Sequence, residues 1–225
     1  ELDDRHWVLH ALNVLGSVRS SRGLLEEALD NYMESQDLYI ELKGYPDPGV
    51  LSNIGGIYLQ LGDTEKALEC YLEVLEALND MEGPADLRTA SMLNMGEVYS
   101  RLCMYEEALV YLYQALESAE SADMLQASAT VHEGIGAALA GLRRYDEAMV
   151  HFEKAMEGFS SLEDRRGEAF VLSRMGHCLI DTDIDGAEES YGRSLDIFRS
   201  LQDARGVVEA LIGTGRALHA KGGGD

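Results

Sequence analysis

The feature that most constrains this chain is a glycine that recurs about every 40 residues. The spacings are 39, 41, 40, 40 and 39 residues, and the glycines are Gly16, Gly55, Gly96, Gly136, Gly176 and Gly215. A fixed period in this range is typical of proteins built from one repeated supersecondary unit. The sequence therefore predicts a repeat architecture that occupies nearly all of the 225 residues.

Each repeat also carries three apolar or small residues at helical spacing. Twelve residues after a glycine, or eleven in the fifth repeat, stand Ala28, Ala67, Ala108, Ala148 and Ala187. Four residues further are Tyr32, Tyr71, Leu112, Phe152 and Tyr191, and three beyond those are Ser35, Val74, Ala115, Ala155 and Ser194. Spacings of three and four place these side chains on one face of a helix. Because glycine and alanine let two helix axes approach closely, the pattern predicts a helical hairpin whose large side chain fills the space between them.

Turn residues between the periodic segments divide the chain into paired helices. We expect helices at 4–20, 24–42, 48–61, 63–79, 84–102, 105–120, 123–142, 145–161, 164–180, 185–201 and 203–220. Asp164 and Asp203 are expected to be N-caps, since a carboxylate there accepts from the first free backbone N–H groups. The content of 46% hydrophobic residues is enough for a buried core.

At the glycine and the residues around it, the chain resembles the tetratricopeptide repeat family. The segments Ile54-Gly55-x2-Tyr58 with Ala67-x3-Tyr71, and Met95-Gly96-x2-Tyr99 with Ala108, are similar to the family pattern. The position of the family's tryptophan carries other residues, the terminal proline is absent, and the period exceeds 34 residues. The chain is therefore similar to the longer-period subgroup found in kinesin light chain, Pins-type adaptors and bacterial signalling proteins.

This resemblance implies an all-α, right-handed superhelical solenoid of about five and a half repeats. The expected repeats are 4–43, 48–80, 84–121, 123–161 and 164–202, with a half repeat at 203–221, in one domain spanning 1–225. The glycine-rich end at 222–225 stands where a further second helix would open. The sequence is therefore expected to be a piece of a longer array, the alternative being that 203–220 is a natural capping helix.

The net charge argues against two classes of partner, and the cysteines indicate the cellular setting. A formal charge of -23 opposes binding to nucleic acid and to anionic membranes, because both need basic residues that neutralise phosphate. No apolar run approaches the roughly 20 residues of a membrane span. The three cysteines form no CxxC pair, which argues against a disulfide scaffold and fits a reducing, cytoplasmic setting.

Motifs that would carry chemistry are weak. The run from Asp181 through Asp183 and Asp185 to Gly186 opens like a calcium loop, but its twelfth position is Gly192 instead of glutamate. A turn rich in capping carboxylates is the alternative. His6 and His10 are four residues apart without a third metal ligand, and no nucleophile-elbow, zinc-protease or P-loop motif occurs. We expect no enzyme activity, no cofactor and no resident metal.

The remaining candidates are polar residues near the repeat glycines on the first helix of each hairpin. In the family these positions line a concave surface that binds a protein or an extended peptide. Carried onto this chain, they give the peptide-binding residues Asn53, Asn94, Glu97, Glu133, Arg174, His177 and Arg216. The two asparagines can pair with a peptide backbone through both donor and acceptor, and the basic residues would orient a ligand with two oppositely charged ends.

The resemblance favours a non-catalytic binding scaffold or adaptor. The alternative function is a peptide- or ligand-sensing region of a larger bacterial signalling protein, which would control an attached catalytic or DNA-binding domain. Chaperone-type binding of a C-terminal carboxylate is not expected, because the first helices carry no lysine before Lys221.

Overall fold

The computed structural model describes residues 2–80 and 84–222, and in those ranges it contains only α-helices and turns. In chain order the helices are α1 (Leu2–Ser21), α2 (Leu25–Lys43), α3 (Pro48–Leu61), α4 (Thr64–Asp80), α5 (Ala85–Arg101), α6 (Tyr105–Ser121), α7 (Leu125–Gly141), α8 (Tyr145–Ser161), α9 (Arg165–Leu179), α10 (Ile184–Ser200) and α11 (Ala204–Gly222). The odd-numbered helices carry the repeat glycines and are called first helices below; the even-numbered ones are second helices. The expectation for residues 223–225 falls outside the described residues.

The chain forms two compact units, Glu1–Leu102 and Cys103–Asp225. In the first unit, α1 packs on α2, α2 on α3, α3 on α4, and α4 on α5. In the second, α6 packs on α7, α7 on α8, α8 on α9, α9 on α10, and α10 on α11. Within each unit, every helix therefore contacts its neighbours in sequence, and α3 with α5 in the first unit, and α7 with α9 and α9 with α11 in the second, also touch. This nearest-neighbour packing of helical hairpins confirms the predicted repeat architecture.

The predicted closure of the hairpin by glycine is confirmed. A methyl group built on Gly136 would lie 2.6 Å from Cε1 of Phe152, and one on Gly55 would lie 2.9 Å from Cε1 of Tyr71. Real side chains do not approach this closely, so the aromatic ring of the second helix occupies the space that a side chain on the first helix would need. The five repeat alanines listed above are fully buried, as is Phe152.

The 40-residue period follows from the lengths of helix and turn. Helices α7 and α8 have 17 residues each, and the turns at 122–124, 142–144 and 162–164 have three. The middle turn residue adopts a left-handed backbone conformation, with φ of 52° at Asp123, 61° at Arg143 and 56° at Glu163. Such a residue ends a helix and redirects the chain within a few positions. In repeat five α9 has 15 residues and four residues, 180–183, precede α10, which makes that repeat one residue shorter.

Most helix boundaries agree with the predicted ones within two residues. The side chains of Asp164 and Asp203 accept hydrogen bonds from the backbone N–H of Gly167 and Gly206, at 2.9 and 3.0 Å, so both expected N-caps are confirmed. Helix α7 begins at Leu125, two residues after the expected position, because Asp123 lies in the left-handed turn.

Candidate peptide-binding surfaces on the first helices

In the first unit, the predicted residues lie on α3 and α5. Asn53 is exposed on α3, and Asn94 is half-buried on α5. Glu97, also on α5, is exposed and accepts hydrogen bonds from Nη2 and Nε of Arg101 at 2.7 and 3.1 Å. An exposed ion pair one helical turn apart contributes little to stability and is easily exchanged. The first unit therefore offers two amides and one loosely paired carboxylate.

In the second unit, the structure brings Glu133 of α7 and Arg174 of α9 together. Nε of Arg174 donates to Oε1 of Glu133 at 3.1 Å, across one repeat. Glu133 is half-buried, whereas Arg174 is exposed. The sequence predicts that these two residues, which have opposite charges, each contact a ligand. In the structure they contact each other and partly neutralise each other's charge.

Arg174, His177 and Arg216 line one cleft between α9 and α11, called the α9–α11 cleft. Its volume is about 310 Å³, and its lining residues are Ser173, Arg174, His177, Tyr191, Glu209, Ile212, Gly213 and Arg216. The three predicted basic positions of the second unit thus meet at one place. Arg216 forms no ion pair with any residue that the structure describes.

Charged groups of both signs surround His177 in the cleft, namely Arg174, Arg216, Glu209 and Asp181. Burial lowers the pKa of His177 most, and the charges of Arg216 and Arg174 lower it further, while Asp181 raises it. Both guanidinium groups disfavour the charged imidazolium form. The neutral form of His177 is therefore favoured, and the two arginines supply the positive charge.

Tyr191 of α10 forms part of the cleft, and sequence reasoning assigned it only to the core. Its ring packs against the backbone of Gly213, where a Cβ atom would overlap Cε1 of the ring. Tyr191 is only 4% exposed, and burial raises its pKa. Its hydroxyl makes no hydrogen bond with the described residues, although it lines the cleft. One feature of the sequence indicates this space beside Tyr191. Gly213, two residues before the repeat glycine, has no side chain, whereas repeats two and three carry asparagine at that position.

Two other clefts lie beside the helices. One, of about 290 Å³ in the second unit, contains Glu133, Arg174 and Phe170. The other, of about 280 Å³ in the first unit, is lined by residues of α2, α3 and α4, including Tyr58, above whose ring Lys66 lies at 5.1 Å from the centroid.

The aspartates of the calcium-like run point to different partners. Asp181 pairs with Arg143 at 3.4 Å, and Asp183 caps α10 by accepting from the N–H of Gly186 at 3.0 Å. Asp185 pairs with Nζ of Lys221 at 2.8 Å. Within the described residues, no three histidine, cysteine or carboxylate side chains are grouped as metal ligands would be. The capping interpretation of this turn therefore agrees with the structure.

The structure also describes the remaining histidines and cysteines that the sequence analysis considered. His6 and His10 are exposed on α1. Cys70, Cys103 and Cys178 are free thiols. None of the described helices is both long enough and apolar enough to cross a membrane.

An all-α protein built from repeated helical hairpins is the class that this fold defines. The sequence profile of the tetratricopeptide repeat matches residues 47–121 and 127–200, well over half of the chain. The chain belongs to the tetratricopeptide repeat family.

Solved structures with the same fold share little sequence with this chain. BtubC (BKLC) from P. vanneervenii is 20% identical with a TM-score of 0.66, and the match covers 95% of this chain and 84% of BtubC. A Rap protein complexed with Competence and Sporulation Factor is 17% identical with a TM-score of 0.79, over 90% of this chain and 57% of Rap. The Rap conjugation gene regulator of plasmid pLS20, in complex with the Phr* peptide, is 12% identical with a TM-score of 0.76, over 91% of this chain and 57% of the regulator. At such identities the likeness shows the fold alone.

Proposed function

We propose that this chain is a non-catalytic scaffold that binds a protein or an extended peptide on the exposed faces of its first helices, in a reducing, cytoplasmic setting. The observation that carries the proposal is the α9–α11 cleft, where Arg174, His177 and Arg216 meet at a space of side-chain size. In the first unit, the exposed amide of Asn53 and the half-buried amide of Asn94 add groups that pair with a peptide backbone.

A regulatory role is the second candidate. Two structures with this fold are Rap proteins, one in complex with Competence and Sporulation Factor and the other in complex with the Phr* peptide. This chain spans 57% of each, so the rest of those proteins has no counterpart in the match. By analogy, this chain would be a peptide-sensing region that controls an attached catalytic or DNA-binding domain. The full reading frame distinguishes the scaffold from the sensor. Repeats alone support the scaffold, whereas an appended effector domain supports the sensor.

Selection of random peptides displayed on phage, with the purified chain as bait, tests the binding proposal. We expect peptides that bind the wild type and lose affinity on at least one of two variants, Asn53→Ala with Asn94→Ala in the first unit or Arg174→Glu in the second. The matched control changes Gln114→Ala and Arg193→Glu, an exposed amide and an exposed guanidinium on second helices. Circular dichroism checks that helicity is unchanged in all variants.

The selection has two outcomes that contradict the proposal. One is that no peptide is enriched above an unrelated helical bait. The other is that enriched peptides bind both first-helix variants as tightly as the wild type but lose affinity on the second-helix control, which would place binding on the opposite faces.

A further inference from the structure

We propose that the α9–α11 cleft is a receptor for a single carboxylate of an acidic peptide, held by Arg216 and the Tyr191 hydroxyl, and that His177 takes up a proton when the carboxylate binds. This inference rests on the proposed peptide-binding function and names the ligand chemistry of one of its sites.

Charge balance in the cleft favours an anion with one negative charge. Arg216 is without an ion pair among the described residues, whereas Arg174 already donates to Glu133 at 3.1 Å. Glu209 also lines the cleft. One free guanidinium attracts a carboxylate strongly, while the Glu209 carboxylate repels a second negative charge. A phosphate group with two charges is therefore disfavoured relative to an aspartate or glutamate side chain.

The hydroxyl of Tyr191 is a donor without an internal partner. At the equivalent position of repeat one, Ser17, the residue after the repeat glycine, lies close enough to Tyr32 to oppose the rise in pKa that burial causes there. His177 stands in the place of Ser17 in repeat five, and Tyr191 has no hydrogen bond with the described residues. Unlike the Tyr71 hydroxyl, the Tyr191 hydroxyl is not among the buried polar atoms that lack a partner, so it is open to solvent and to a ligand. Since Tyr191 lines the cleft beside Arg216, a carboxylate bound to Arg216 can accept from it.

Tyr71, at the same position in repeat two, shows that an unpaired hydroxyl alone does not make a site. Its oxygen also lacks a partner but is sealed from solvent, and the first-unit cleft does not reach it. The residue after the repeat glycine is Gly56 there, so no basic side chain stands beside the hydroxyl. The α9–α11 cleft combines the unpaired donor with an open space and a free cation.

Proton uptake follows from the groups that surround His177. They are Arg174 on its own helix, Asp181 just beyond that helix, Tyr191 on α10, and Glu209 and Arg216 on α11. Burial first, and then the charges of Arg216 and Arg174, hold the pKa of His177 below its ordinary value. A bound carboxylate offsets them and favours the imidazolium. Because the pKa is higher in the bound state, affinity rises as the pH falls toward the range in which His177 titrates, and this gain is lost as the pH rises through the bound-state pKa.

The test uses the tripeptide N-acetyl-Gly-Glu-Gly-amide, with its Gln analogue as the control probe. NMR spectroscopy of the imidazole C–H signals follows His177 during titration of each probe into the whole chain. We expect the Glu peptide to raise the pKa of His177 and the Gln peptide to leave it unchanged. Affinity for the Glu peptide should increase by at most about tenfold per pH unit, the limit for uptake of one proton.

Three variants locate the effect. Arg216→Gln should abolish binding of the Glu peptide, and Tyr191→Phe should weaken it roughly threefold to tenfold, the range of one lost hydrogen bond. The matched control Arg205→Gln removes the same charge from α11 outside the cleft and should bind like the wild type. Inorganic phosphate forms a separate arm and should bind more weakly than the Glu peptide.

The proposal is overturned if the Glu peptide binds Arg216→Gln as well as the wild type, if affinity does not change with pH, or if phosphate binds at least as tightly. None of these results depends on the phage selection. Peptides that are enriched but bind independently of Arg216 would leave the binding function intact and reject only this carboxylate site.

Discussion

Substituting alanine at two equivalent glycines should change stability in opposite directions. In Gly136→Ala the new methyl group would lie 2.6 Å from Cε1, 2.7 Å from Cδ1 and 3.0 Å from Cζ of Phe152, which is fully buried. In Gly215→Ala no atom lies within 4 Å of the new methyl group. Both glycines are inside helices and are the same position of the repeat, so the comparison isolates packing between hairpin helices.

The magnitude follows from two opposing contributions. Alanine stabilises a helix interior by about 1 kcal/mol relative to glycine. Overpacking a filled core costs about 1–3 kcal/mol, and three contacts at or below 3.0 Å place Gly136 at the upper end. We therefore expect Gly136→Ala to lower the free energy of unfolding by about 1–2 kcal/mol, and Gly215→Ala to raise it by up to about 1 kcal/mol.

Urea unfolding followed by circular dichroism measures both changes. The double variant Gly136→Ala with Phe152→Leu removes the ring that the methyl group meets, so the Gly136→Ala penalty should be smaller in that background than with Phe152 present. The account of hairpin closure is refuted if Gly136→Ala stabilises the protein as much as Gly215→Ala does.

Three further substitutions test local features of the fold. Gly56→Ser should stabilise the protein by about 1 kcal/mol beyond Gly56→Ala, because a methyl group at position 56 lies 3.7 Å from the unpaired Tyr71 hydroxyl and a serine can pair with it. Burial and the neighbouring His151 lower the pKa of His132 to about 4. The free energy of unfolding of the wild type therefore falls by on the order of 3 kcal/mol as the pH falls from about 6.5 toward 4. His132→Leu should remove this loss of stability in acid. Gln202→Gly should stabilise by about 1 kcal/mol, since φ is 56° there and glycine adopts that conformation without strain.

Each of these has its own check by urea unfolding. If the serine and alanine variants at position 56 are equally stable, Tyr71 does not gain a partner. If His132→Leu and the wild type lose stability equally between pH 7 and about pH 5, titration of His132 is not the cause. For position 202 the control is Gln202→Ala, which keeps the strained backbone and should gain nothing.

The fold could be predicted from sequence because its determinants are periodic. The alanine, aromatic and glycine positions recur at spacings that only a helical hairpin satisfies, and every predicted helix is present in the described residues. The turns were harder to predict, because Asp123 and Arg143 adopt the left-handed conformation without being glycine. Asp123 has the composition of an N-cap, and only the backbone geometry shows that it belongs to the preceding turn.

The surfaces were predictable only in part. The repeat pattern identifies which residues lie near the first-helix glycines, and in the second unit three of them do line one cleft. The pairing of Glu133 with Arg174 depends on the register between neighbouring repeats, which no pattern within one repeat specifies. The spacing of Tyr191 in the repeat is that of a core residue, and the sequence predicts only this role. Tyr191 also lines a cleft because Gly213 has no side chain to cover it.

The most direct test of the binding account is a crystal structure of the chain with a phage-selected peptide. The account predicts that the peptide lies against first helices, with a carboxylate oxygen within hydrogen-bonding distance of Arg216 and of the Tyr191 hydroxyl. A peptide bound on the second helices, with the α9–α11 cleft empty, would contradict it.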